Sequence, residues 1–133
     1  MLFDRRRLPQ HRAALAFLQA TRARYDSAKT PAAVLGAERT FAQARPTEQQ
    51  RLEKLDRWRN SSNLLADYDA LLQIFASAYP EARRQALAGS TSPLDAVRQD
   101  VDARLKKITE WLAYVEKAET ELDGAEADRR ERL

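Results

Sequence analysis

The chain has 133 residues, 44% of them hydrophobic and 32% charged, with three Gly and no Cys. That length fits one domain with a real core, and the lack of Cys excludes a disulfide framework, a thiolate metal site and a thiol nucleophile. The formal net charge of +3 conceals an asymmetry: residues 1–66 carry 13 Lys or Arg against 6 Asp or Glu, and residues 67–133 carry 10 against 14.

Abundant Ala, Leu, Arg and Glu with no β-rich run predict an all-α protein. A single His, His11, leaves little room for zinc or di-iron chemistry, and no metal or other cofactor is expected. No apolar run approaches the length of a membrane span, and the opening through Arg5, Arg6 and Arg7 is not followed by a signal-type apolar region. A cytoplasmic protein is expected. Arg outnumbers Lys by 18 to 5, and its planar fork suits phosphate and carboxylate. A nucleic-acid or acidic-peptide reading of this charge therefore stands beside that of a solvated surface.

In chain order, a first helix is predicted from about Gln10 to Ala28, with Ala14, Leu15, Phe17, Leu18 and Tyr25 inward and Arg12, Arg22 and Arg24 outward. Arg6 and His11 match the R-x-x-x-x-H spacing of some ribonucleases. Pro9 between them breaks the helix such a motif requires, so His11 is expected at the surface. Thr30 and Pro31 pair an N-cap with a Pro at the first helical position and open a short helix to about Ala44. Pro46 is expected to close it, and Thr47 to Gln50 to cap a long third helix. The stripe of that helix runs through Leu52, Leu55, Trp58, Leu65, Leu72, Phe75 and Tyr79. Asn60, Ser61, Ser62 and Asn63 are poor helix formers and predict a kink within it; Pro80 ends or bends it.

Gly89 to Pro93 is the clearest turn. It leads into the longest helix signal, Ser92 to Leu122, in which Leu94, Val101, Ile108, Val115 and Leu122 fall on one seven-residue repeat, joined by Val97, Leu105 and Leu112. Gly124 reads as its stop, which divides the chain into a helical domain over 1–124 and a charged tail over 125–133. Short connections predict a four- to five-helix bundle built on a long antiparallel hairpin of the third and last helices.

No Gly-rich phosphate loop, Ser elbow or paired His and carboxylate spacing is present, and Asp67 and Asp69, two apart on a helix, cannot face each other. An enzyme is not expected. Four groups of residues, in order, resemble the PriC family of primosomal replication proteins: Phe3, Asp4, Arg5 and Leu8; Trp58 with Asp67, Tyr68, Asp69 and Leu72; Ala103, Arg104, Leu105 and Leu112; and Val115 with Glu116. The resemblance implies a non-enzymatic replication-restart factor that binds single-stranded DNA. It also implies contact with the acidic C-terminal tail of single-stranded DNA-binding protein and help in loading the replicative helicase. In that family an Arg and aromatic pocket receives the tail; Arg104 matches one such Arg and Tyr68 a neighbouring aromatic, while Leu71 stands where a second Arg is expected. Lys106, Lys107 and Lys117 partly represent the family's basic last helix.

The candidate nucleic-acid contacts are Arg5, Arg6, Arg7, Arg12, Arg22, Arg24, Arg57, Arg59 and Lys106. The candidate peptide site joins Arg104 and Lys107, three apart on one helix, with Tyr68 as an apolar floor. The same residues have plainer readings: an Arg104 to Asp100 ion pair, and Trp58 and Trp111 as core anchors. The alternative function is a protein-interaction module without nucleic acid, such as a small phage or plasmid inhibitor or a structural subunit of a nucleoprotein complex. Oligomerisation is compatible with either.

Overall fold

The computed structural model describes residues 8–56 and 62–132, with main chain alone for Asp56, Ser62, Asn63, Glu119 and residues 122–132. Five helices occupy them: α1 (Leu8–Ser27), α2 (Pro31–Asp56), α3 (Ser62–Ala76), α4 (Ala78–Leu87) and α5 (Ser92–Arg132). Among the described residues there is no strand, and the fold is an all-α bundle. Gln10 meets Arg51 at 3.2 Å and the ring of Phe17 lies 5.8 Å from that of Phe41, so α1 and α2 are antiparallel. Phe41 to Phe75 and Glu38 to Arg84 set α3 and α4 antiparallel to α2. Arg104 to Asp67 and Arg98 to Tyr79 then set α5 against α3 and α4, and Arg12 to Glu116 returns it to α1. The result is an up-down-up-down bundle whose third arm, the broken pair α3 and α4, lies antiparallel to α5 in place of the expected hairpin of two long unbroken helices.

Local chemistry accounts for the boundaries. Thr30 caps α2 as expected: its Oγ1 accepts from Ala33 N at 3.1 Å and its carbonyl from Val34 N at 3.1 Å. The turn after α4 is a Schellman motif, with Gly89 N donating to Ala86 O and Ser90 N to Gln85 O. Gly89 has φ +106°, a conformation that a side chain would strain.

Besides the break at Pro80, three boundaries differ from expectation. Helix α2 passes straight through Pro46. The reason is that Val34, Phe41, Glu48 and Leu55, seven apart, are all buried while Pro46 is exposed, so one continuous inward face holds both halves of the helix. The predicted long third helix is instead two antiparallel pieces: Leu52 and Leu55 belong to α2, Leu65 to Phe75 to α3. The chain reverses between Asp56 and Ser62, and Asn60 and Ser61 of the expected kink lie outside the described residues. Finally, α5 continues past Gly124 to Arg132, so its 41 residues span about 60 Å and the predicted stop is not used.

Pro80 breaks the third arm one turn earlier than expected. Its ring excludes the carbonyl four residues back and it donates no hydrogen bond, so the helix ends at Ala76 and restarts after Ser77, which places Pro80 in the first turn of α4. At this junction the rings of Tyr25, Phe75 and Tyr79 pack together with centroids 5.3–6.2 Å apart. Phe75 is fully buried, so Phe75→Ala is expected to lower stability by about 3–5 kcal/mol in urea unfolding. Tyr114, 72% exposed, provides the contrast: Tyr114→Ala is expected to stay within about 0.5 kcal/mol.

Candidate partner-binding site

The antiparallel pairing of α3 and α5 brings the sequence-predicted peptide residues together, but around a carboxylate of the chain itself. Arg104 Nη1 donates to Asp67 Oδ1 at 2.9 Å, and Arg104 Nε donates to Asp100 Oδ1 at 3.0 Å. Lys107 Nζ lies 3.2 Å from Asp67 Oδ2. That oxygen accepts no well-formed hydrogen bond, and the Asp67 side chain is 7% exposed. The convergence of Arg104 and Lys107 is thus real, and so is the plain ion pair with Asp100. Two cations face two carboxylates, leaving no net positive charge to draw an acidic tail.

Tyr68 is not the floor of that site. It is fully buried, its hydroxyl donates to the carbonyl of His11 at 3.3 Å, and its ring stacks on the His11 ring at 5.8 Å. Burial pushes the Tyr68 hydroxyl above its ordinary range. His11, expected at the surface, is also fully buried, with the ring of Trp111 5.0 Å away. The first turn of α1 faces α3 and α5, so an imidazole there has aromatic neighbours rather than water. Leu71 is buried too, and its position faces the core.

The basic first half does not form one electropositive face among the described residues. Arg12 Nε donates to Glu116 Oε1 at 2.7 Å, and Arg22 pairs with Asp102 and lies 3.6 Å from Asp26. Lys106 is on the outer face of α5, 3.9 Å from Glu110, and Arg24 is exposed. Arg5, Arg6, Arg7, Arg57 and Arg59 lie outside the described residues. Part of the charge asymmetry is used inside the fold, because Arg12 and Arg22 of α1 pack against carboxylates of α5.

Two polar groupings had no signal in the sequence. At the α1–α4–α5 junction Asp26 accepts from the Tyr79 hydroxyl at 2.5 Å and from Arg98 Nη2 at 3.0 Å. Arg83 donates to the carbonyls of Tyr25, Asp26 and Ala28, satisfying the end of α1. Hydrogen bonds to Tyr79 and Asp26 push the Arg98 guanidinium above its ordinary range. The second grouping lies at the start of α1, where Gln10, Thr47, Gln50, Arg51 and Lys54 surround a cavity of about 250 Å³ together with Leu55. Every polar side chain lining it carries a hydrogen-bond donor and none is a carboxylate. Behind it Arg51 Nη1 holds Glu48 at 2.6 Å, although burial raises the Glu48 carboxyl above its usual range.

Among the described residues no group of three His, Asp or Glu could hold a metal ion, and no helix is long and apolar enough to cross a membrane. No family model matches the chain, nor does any curated protein or solved structure.

Two measurements check this geometry. Arg104→Glu would place a third carboxylate against Asp67 and Asp100, so it is expected to destabilise the bundle by about 1–3 kcal/mol in urea unfolding rather than act on ligand binding alone. Burial first, and for Tyr79 the bond to Asp26 next, raises the hydroxyls of Tyr25, Tyr68 and Tyr79 above their ordinary range. Raised folded values mean that their contribution is complete below the unfolded value of about 10 and is lost as the pH climbs through the folded ones. Spectrophotometric phenolate titration should show these three ionising late, together with a fall in stability above about pH 10.

Proposed function

We propose that this protein is a non-enzymatic assembly factor of replication restart, binding single-stranded DNA and protein partners as the resemblance to the PriC family implies. One observation supports the nucleic-acid part. The antiparallel packing of α1 and α2 puts Leu8 and Asp56 at the same end of the bundle, beside the carboxylate-free cavity of Gln10, Thr47, Gln50, Arg51 and Lys54. From Leu8 the chain leads back to Arg5, Arg6 and Arg7, and from Asp56 it leads on to Arg57 and Arg59. Two cations, Arg51 and Lys54, at the end of the bundle from which two basic stretches of sequence continue suit the phosphates of a flexible strand, although Arg51 is also held by Glu48.

The protein partners of this reading are the acidic tail of single-stranded DNA-binding protein and the replicative helicase. The proposed place for the tail is the outer face of α5, where Lys106 and Lys107 are exposed; because Arg104 and Lys107 are already balanced by Asp67 and Asp100, the tail has to displace those carboxylates to bind. A second reading, a protein-interaction module without nucleic acid, is favoured by the pairing of Arg12, Arg22, Arg104 and Lys107 with carboxylates of the same chain.

Oligonucleotide binding as a function of salt separates the two. Binding to a single strand is expected to weaken linearly on a log–log plot, by about 0.7 per phosphate neutralised. The double variant Arg57→Gln, Arg59→Gln should bind less tightly and reduce the slope by about 1–1.5 with helicity unchanged. Absence of binding at low salt would leave the protein-interaction module as the function.

A further inference from the structure

The helix that runs through Pro46 carries a groove on its outer side that no reading above uses. Its floor is apolar, formed by Phe41, Ala42 and Pro46 of α2 and Ala76 at the end of α3, and it encloses about 400 Å³, within the range of sites that bury a ligand. Arg39 and Arg45 stand on its rim. Unlike Arg12, Arg22, Arg84, Arg98 and Arg104, these two form no ion pair among the described residues. Arg45 Nε is buried without an acceptor, and a buried donor left in that state is costly. The one carboxylate of the groove, Glu38, is occupied by Arg84, whose guanidinium is held above its ordinary range first by that hydrogen bond.

We infer that this groove is a docking site for an acidic peptide segment of a partner protein, one that places a large apolar side chain on the floor between two carboxylates. Charge complementarity selects the occupant. Two guanidinium groups have no anion among the described residues, and the groove's own carboxylate is already neutralised. Arg39 and Arg45 are six residues apart on the helix, about 9 Å along its axis and about 120° around it, so they approach the apolar floor from two sides. Carboxylates on either side of a buried apolar side chain would each meet one guanidinium group. Two cations over an apolar floor suit a peptide better than a nucleic-acid strand, which needs a longer cationic track. The groove is separate from the proposed DNA site at the start of α1 and from Arg104.

The test is fluorescence anisotropy with a labelled, terminally blocked hexapeptide containing a central Trp flanked by Asp and Glu, against an analogue carrying Asn and Gln instead. Saturable binding of the acidic peptide is expected, at least tenfold tighter than that of the analogue. The double variant Arg39→Gln, Arg45→Gln should weaken binding at least tenfold. Ala42→Glu, a single change at an exposed position, should do the same by repulsion, and circular dichroism should show unchanged helicity in both. No saturable binding, equal affinity for the neutral analogue, or unaltered affinity in the folded variants would overturn the proposal. So would displacement of the peptide by a single-stranded oligonucleotide, which would mark the groove as a nucleic-acid track.

Discussion

Pro80 imposes the constraint on which the rest of the bundle depends. A proline cannot sit in the middle of a helix without losing a hydrogen bond and crowding the preceding turn, so the third arm breaks at Ser77 and α4 sets off anew. The break brings Phe75 and Tyr79, from two different helices, onto Tyr25 of α1. It also brings Arg83 to the last carbonyls of α1 and the Tyr79 hydroxyl to Asp26. One local covalent restriction thus gathers an aromatic cluster, a helix cap and an ion pair at a single junction, where α1, α4 and α5 meet. Aromatic burial supplies most of the free energy there, and the polar bonds determine which partners the rings accept.

Charge is used in a second way, between the two halves of the chain. Arg12 and Arg22 of α1 meet Glu116 and Asp102 of α5, and Arg104 and Lys107 of α5 meet Asp67 of α3. The pairs between α1 and α5 are exposed and add about 0–1 kcal/mol each to stability, so their main effect is on register and helix orientation, whereas Asp67 is buried and depends on its partners. They also decide what remains for partners. A cation committed to a neighbouring helix binds an outside anion only by giving up that pair; Arg39 and Arg45, which share one groove, have no such pair among the described residues.

A single polar residue in a core position explains how the path of α2 escapes a simple reading. Val34, Phe41, Glu48 and Leu55 mark one face, but Glu48 interrupts its apolar character and Pro46 lies two residues before it. The Glu48 carboxylate is tolerated inside because Arg51, one turn on, supplies a charge-assisted bond at 2.6 Å. With both halves of the face buried against α1 and α3, tertiary packing outweighs the lost hydrogen bond at Pro46. The outer groove beside Pro46 is the by-product of that compromise.

The amino-acid order alone makes legible the helical class, the cap at Thr30, the glycine turn before α5 and the inward residues of α5 from Leu94 to Val115, because each rests on local geometry or on a period of 3.6 residues. It also placed Arg104 against Asp100, a pair within one helix. Only the tertiary structure decided where the chain reverses, since a stripe carries the same period on either side of a turn and Leu55 and Leu65 look alike along one line. It alone decided that His11 and Tyr68 are stacked inside the bundle, because burial of a side chain that is part apolar and part polar depends on what the neighbouring helix presents. The partner of Asp67 was likewise invisible, being 37 positions away. Charge pairs between helices follow from packing, and packing is a property of surfaces that the linear order does not list side by side.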